Sequence, residues 1–167
     1  MSNKTYNLEP NFDPQSRFDN LHKLEPEFWK KPLKTLSKEE WELLCDGCGK
    51  CCLNKLEIKG KIKFTNTVCR FLDTHSCICK IYKNRFEKVY DCRDITLESV
   101  KEVPSFLPKT CAYRLLNEGK SLPDWHPLIT KNANSIHMAK MSLQNRKTVS
   151  ETGIKNYEDH IIDWEDL

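Results

Sequence analysis

The sequence predicts an α+β fold: a small, irregular domain of short helices and one β-hairpin. Three observations carry that expectation. A capping box opens a short amphipathic helix at Ser37, a period-two stretch follows from Lys55 to Phe64, and nine cysteines punctuate 167 residues. The length suits one domain. Hydrophobic residues are 38% and charged residues 31%, so apolar material for a core is scarce. No run approaches the roughly 18 apolar residues of a membrane span, and Met1 to Pro10 lacks the apolar stretch of a secretory signal. The expectation is a cytoplasmic protein with no membrane partner. The net charge of +3 does not mark a nucleic-acid binder.

Taken in order, residues 1–36 read as an N-terminal extension, interrupted by Pro10, Pro14, Pro26 and Pro32, that either docks a short amphipathic turn through Leu21, Leu24, Phe28 and Trp29 or is an irregular arm packing through Phe28 and Trp29. Residues 37–167 read as a single domain. Ser37 and Glu40 form the capping box of a helix carrying Trp41, Leu43 and Leu44, and Asp46-Gly47-Cys48-Gly49 ends it. In the alternating stretch Leu56, Ile58, Ile62 and Phe64 are expected on one face and Lys55, Glu57, Lys59, Lys61 and Lys63 on the other, solvated one, with the chain turning near Gly60. Thr96 caps a short helix through Val103, and Pro104 and Pro108 bracket a turn. Thr110 to Glu118 is helical and Gly119 stops it. Leu122 to Thr130 reads as a loop, Ser142 to Val149 as a strand. The tail from Glu151 carries six carboxylates against Lys155.

The cysteines are Cys45, Cys48, Cys51, Cys52, Cys69, Cys77, Cys79, Cys92 and Cys111. The first four run C-x2-C-x2-C-C. Two intervening residues let both sulfurs reach one ion, and Gly47 and Gly49 permit so tight a loop. Without an export signal, such a count points to metal ligation before disulfides. Thiolates suit zinc, cuprous copper or iron–sulfur clusters. C-x2-C-x2-C is also a familiar opening for a cubane cluster. The side chains of adjacent Cys51 and Cys52 diverge, which suits a polynuclear centre or two neighbouring sites. Lys50, Arg70, Lys80 and Arg93 would offset the negative charge. The metal staples the fold, with its core at about residues 45–111, and compensates for the thin apolar supply.

Cys45-Asp-Gly-Cys48-Gly-Lys-Cys51-Cys52, Cys69-Arg-Phe-Leu, Cys79-Lys-Ile-Tyr82-Lys-Asn-Arg85 and Cys92 resemble the YkgJ-type cysteine-cluster domain, which chelates zinc or iron. Trp41, Phe64-Thr-Asn66, Cys111-Ala-Tyr-Arg114-Leu-Leu and Leu122-Pro-Asp-Trp125-His126-Pro127-Leu128 extend the likeness to its bacterial YcgN subfamily, over roughly Leu36 to the C-terminus. The resemblance implies a bacterial cytoplasmic protein with a chelated metal, and no particular reaction. It carries ligation to Cys45, Cys48, Cys51, Cys52, Cys69, Cys79 and Cys92; Cys77 and Cys111 belong to the narrower subfamily. Phe86 departs from the pattern, standing where the wider domain has proline.

His75, His126 and His137 are further candidates, each with a plainer reading as a loop or packing residue. Tyr82, Arg85, Tyr113 and Arg114 form two aromatic–arginine groupings that either bind an anion or shield the cysteines. No hydrolase, metalloprotease, P-loop or dinucleotide motif is present, so no catalytic residue is assigned. The sequence thus reads as a metal-binding module holding zinc or iron, mononuclear or as an iron–sulfur cluster. The alternatives are an iron-dependent or iron–sulfur enzyme or accessory factor, a zinc-ribbon nucleic-acid module using Lys55, Lys59, Lys61 and Lys63, and a disulfide switch. Nucleic acid is the less favoured partner, and no protein partner is legible.

Overall fold

Ser37 opens the first helix as its sequence requires. Its Oγ accepts from the Glu40 amide at 3.1 Å, and Glu40 Oε2 accepts from the Ser37 amide at 2.8 Å. This starts α1 (Lys38–Leu43) in a computed structural model that describes residues 13–144 and 146–167. Pro10 and the rest of residues 1–12 lie outside the described residues. From residue 13 to α1 the arm is a chain of 3-10 turns, Pro14–Phe18, Leu21–Lys23, Phe28–Lys30 and Leu33–Thr35. The prolines keep each turn short. Phe28 is fully buried and meets Trp29 edge-on at 5.4 Å, as expected of the residues that pack the arm.

Strands β1 (Leu53–Ile58) and β2 (Lys61–Val68) form the expected antiparallel hairpin. Lys59 and Gly60 both have positive φ, 51° and 73°, the geometry of a tight two-residue turn. The expected facing is corrected. Ile58 pairs with Lys61, Glu57 with Ile62, Leu56 with Lys63 and Lys55 with Phe64. Directly opposed residues share a face, so Lys55 lies with Ile62 and Phe64, while Leu56 and Ile58 lie with Lys61 and Lys63. A two-residue turn pairs odd positions with even ones, and a facing drawn on even positions of both strands ignores that.

A second small hairpin pairs β3 (Leu72–Asp73) with β4 (Ile78–Cys79). Then come α2 (Arg85–Lys88), α3 (Leu97–Glu102) and α4 (Ala112–Asn117). Thr96 caps α3 as expected, and it does so in a capping box with Ser99; Gly119 at φ 70° follows α4, also as expected. The expected loop over 122–130 instead contains α5 (Pro127–Thr130), because Pro127 is placed at a first helical position and His126 caps it. After α6 (Ser135–Met138) the expected strand shrinks to β5 (Val149–Ser150), parallel to the end of β2. Ser142 holds the chain out of a sheet: its Oγ accepts from the Gln144 amide and its carbonyl from Arg146 Nε, both at 3.3 Å.

The small sheet and short helices make this an α+β domain with two apolar centres. The larger gathers Phe18, Phe28, Leu43, Leu44, Val100, Leu107, Ala112, Tyr113 and Leu128 from the arm and helices. The smaller gathers Leu53, Phe64, Val68, Leu72, Cys77, Leu143 and Leu167 around the hairpin. The acidic tail folds back on the sheet, with the Ile162 amide donating to the Phe64 carbonyl at 3.0 Å. Residues 44–52 run from one centre to the other. No helix among the described residues is long and apolar enough to cross a membrane.

Candidate metal centre

The cysteine loop starts where α1 stops. Gly47 and Gly49 take φ of 78° and 77°, and at Gly49 a Cβ would lie 3.1 Å from Cys77 Cβ, so only glycine allows the loop to pass. The loop is tied at both ends. His126, fully buried, accepts from the Leu128 amide through Nδ1 and so donates through Nε2 to the Leu44 carbonyl at 3.1 Å. Arg17 donates to the Cys45 carbonyl at 3.0 Å, Leu143 N to the Cys48 carbonyl at 2.9 Å, and Cys69 N to the Cys52 carbonyl at 3.0 Å. Asp46 is buried. Its Oδ1 accepts from the Cys48 amide at 2.9 Å, whereas Oδ2 has no hydrogen-bond partner among the described residues.

All nine cysteines are free thiols. Their electrostatics divide them. Burial pushes the Cys45 thiol up to about 11, with Asp46 and Cys51 adding to the rise. Burial raises Cys48 and Cys111 strongly, Asp46 being the next cause for both. Cys48 also feels Cys111, and Cys111 feels Cys45. Electrostatically these three thiols and Asp46 form one group. Burial likewise raises Cys69, Cys79 and Cys92; Cys69 and Cys92 each feel Cys79, and Cys92 also feels Cys69. The adjacent Cys51 and Cys52 thiols act on each other most strongly, holding Cys51 below the ordinary thiol range and raising Cys52, and Cys52 feels both Cys69 and Cys79. Cys51 acts on members of both groups. Cys77 stands apart in the smaller apolar centre, its thiol beside Ser142, Leu143 and Gln144. Among the described residues, no three His, Cys, Asp or Glu side chains are arranged so that they hold a metal ion as they stand.

Cations surround this thiol-rich region. Lys55 is not on a solvated face. Its ammonium donates to the carbonyls of Cys51 and Leu53 at 2.9 and 2.7 Å and lies 4.3 Å from the Phe106 ring centroid and 5.0 Å from that of Phe64. Burial lowers its pKa to about 8 against the pull of Cys51, Cys52 and Cys48. Arg93 lies 4.8 Å from the same Phe106 ring. Lys50, fully buried, pairs with Asp166, which Arg146 also grips at 2.7 and 3.2 Å. Arg70 is 3.4 Å from Glu151.

A UPF0260 protein of Gluconobacter oxydans is 49% identical over 140 residues, which is 82% of this chain and 85% of that relative. Another, of Shewanella frigidimarina, is 47% identical over 141 residues, covering 83% and 94%. The chain belongs to the UPF0260 family. A further UPF0260 protein, of Vibrio vulnificus, is 45% identical over 139 residues, covering 81% and 94%. No protein-family model and no solved structure matches the chain.

In this UPF0260 chain the remaining candidates have structural partners. His75 is exposed, and its amide and Ser76's donate to Asp73. His137 Nδ1 is 2.7 Å from Ser142 Oγ. Tyr82 donates to Glu42 at 2.7 Å, and Arg85 is stacked between Tyr82 and Phe86 at 3.9 and 4.2 Å. Arg85 also lowers the Cys79 and Cys92 thiol pKa values, so electrostatically this grouping borders the second thiol group. Tyr113 packs on Trp41 at 4.9 Å, and Arg114 is engaged by Glu118 and the Leu107 carbonyl. Sequence reasoning missed Asp46 and the inward placement of Lys55 against Phe64 and Phe106. The turn at Lys59-Gly60 carried the signal for Lys55, because its length sets the pairing parity; for Asp46 there was none beyond its place between Cys45 and Cys48.

Proposed function

We propose that this chain is a cytoplasmic metal-binding protein of the YkgJ-type cysteine-cluster kind, YcgN subfamily, that chelates zinc or iron through its thiols. What supports the reading is electrostatic: eight cysteines from five separate segments influence one another in two linked groups. Cys45, Cys48 and Cys111 belong to the first, Cys52, Cys69, Cys79 and Cys92 to the second, and Cys51 acts on members of both. The donor chemistry fits. A desolvated thiol such as that of Cys48 is a poor acid alone and binds a soft or borderline cation that stabilises its thiolate. The partnerless oxygen of Asp46 adds a buried acceptor whose desolvation a cation would offset. Cys77 is outside this set. The thiols need side-chain rotation to converge.

Bound zinc would act as a structural clamp, whereas iron or an iron–sulfur cluster would add one-electron redox chemistry. The chain's own contribution is to desolvate the sulfurs, to bring Lys55 and Arg85 up to them, and to tether the loop through His126, Arg17 and Leu143. The second group, four thiols from four segments, supports the iron–sulfur reading as the main alternative, because a cubane takes four thiolates. Full-length protein purified without oxygen and assayed for metals and visible absorption is the test. Stoichiometric zinc in a colourless protein supports the clamp, and broad visible absorption with about four irons per chain supports the cluster. Folded protein free of both metals refutes the reading.

A further inference from the structure

Lys50 is the most deeply buried charged residue of the cysteine loop, and its counter-ion comes from far along the chain. Its side chain is 0% exposed, and among the described residues the one carboxylate within ion-pair reach is that of Asp166, 116 residues on. Donors from three separate segments converge there. Lys50 pairs with Oδ2, and Arg146 donates to the two carboxylate oxygens at 2.7 and 3.2 Å. Thr110 Oγ1 donates to the Asp166 carbonyl and accepts from the Lys50 ammonium, both at 3.4 Å. Arg146 is also anchored apart from the tail, through the Ser142 and Lys140 carbonyls at 3.3 and 3.2 Å. The donor cradle therefore does not depend on Asp166 for its place.

The segment that delivers Asp166 has few other ties. Ile161 makes one isolated bridge to Thr65, the Ile162 amide donates to the Phe64 carbonyl at 3.0 Å, and the Leu167 amide bonds within the segment, to the Trp164 carbonyl at 3.1 Å. Trp164 lies 4.7 Å from the Arg146 guanidinium. Leu167 belongs to the smaller apolar centre with Cys77, and Ile162, Trp164 and Cys52 pack against that centre. Cys77 also abuts the cysteine loop, since a Cβ at Gly49 would lie 3.1 Å from its own. Lifting residues 161–167 uncovers this side of the centre. It also leaves the Lys50 ammonium buried without a counter-ion, a state that an external anion stabilises.

We propose that Lys50, Thr110 and Arg146 form an oxoanion site that Asp166 fills in cis, and that residues 161–167 are a strap whose exchange for an external carboxylate or phosphate group exposes Cys77 and Cys52. The strap is an internal ligand at high effective concentration, so it holds the site until a competing anion is in excess. Site and gate are one device, because the residue that anchors the strap also carries the charge that the anion must match.

The test follows strap opening in the full-length chain by hydrogen exchange at the Ile162 amide and by alkylation of Cys77 with N-ethylmaleimide. The Val100 amide, in α3 and the larger apolar centre, reports global unfolding. Cys77 is outside the thiols assigned to metal, so its reactivity reads the strap. In the wild type Ile162 is expected to exchange faster than Val100. Acetate or inorganic phosphate is expected to speed Ile162 exchange and Cys77 alkylation relative to chloride of equal ionic strength, and whichever of the two acts names the ligand class. Asp166→Asn is expected to accelerate both readouts by at least about tenfold beyond any change at Val100. In Asp166→Ala, which vacates the cradle, the same anion is expected to raise the melting temperature over chloride. Glu165→Gln, which removes the neighbouring exposed charge, is expected to behave as wild type in every readout. Equal acceleration at Ile162 and Val100 in Asp166→Asn overturns the proposal, because the ion pair then only supports global stability. So does an Ile162 amide that opens while Cys77 stays protected, or the absence of an anion response in the wild type or in Asp166→Ala. Should both Asp166 variants fail to fold, the wild-type exchange and its response to the two anions decide.

Discussion

Gly49 and His126 show how single residues shape the cysteine loop. At Gly49 a side chain faces two penalties, a left-handed backbone and a Cβ 3.1 Å from Cys77 Cβ. Gly49→Ala is expected to destabilise the chain by at least about 1 kcal/mol, read as a lower denaturation midpoint with unchanged slope. Burial lowers the pKa of His126 below its ordinary 6.5, and lowers that of His137 as well. The unfolded chain therefore takes up protons at a pH where the folded chain does not. Stability is complete above about 6.5 and falls as pH drops from there, until the folded imidazoles protonate too. His126→Gln is expected to shrink that fall, measured as stability against pH from 7 to 5. Cys48→Ser is expected to reduce metal content and the melting temperature together, because ligation and folding are coupled; unchanged values of both contradict its role as a ligand.

At the scale of elements, local chemistry and tertiary contact divide cleanly. The Ser37 box and the Thr96 cap were legible because a cap needs only residues two or three apart. Ser37→Ala is expected to cost about 0.5–2 kcal/mol in chemical denaturation. The β1–β2 hairpin was legible as a hairpin, but its faces were not drawn correctly. Lys59 adopts φ 51°, a conformation that asparagine tolerates better than lysine. Lys59→Asn, creating Asn-Gly at the turn, is expected to raise stability by a few tenths of a kcal/mol to about 1 kcal/mol without moving the register. The helix at Pro127 and the missing strand after Ser142 escaped notice because each depends on a side-chain bond to the backbone, His126 to Leu128 and Ser142 to Gln144.

For the whole molecule, the C-terminal tail is a clasp. Lys50, inside the cysteine motif, is fully buried against Asp166, and Arg146 holds the same carboxylate through two nitrogens. Leu167 sits beside them in the smaller apolar centre. Removing one partner leaves a buried charge uncompensated, so Asp166→Ala is expected to cost about 3–5 kcal/mol, measured by thermal or urea unfolding. Composition marked this tail only as acidic, because the partners lie 116 and 20 residues away in the chain.

The sequence by itself determined the α+β class, the two helix starts, the hairpin turn and the thiol-rich character of the loop after α1, because each is set within a few neighbouring residues. The tertiary structure decided which thiols feel one another: Cys48 feels Cys111 and Cys111 feels Cys45, Cys77 goes to an apolar centre, and Lys55 is tied to the Cys51 carbonyl. It also left Asp46 Oδ2 buried without a hydrogen-bond partner among the described residues. Burial and proximity between distant segments produce these effects, and spacing along the chain does not encode them.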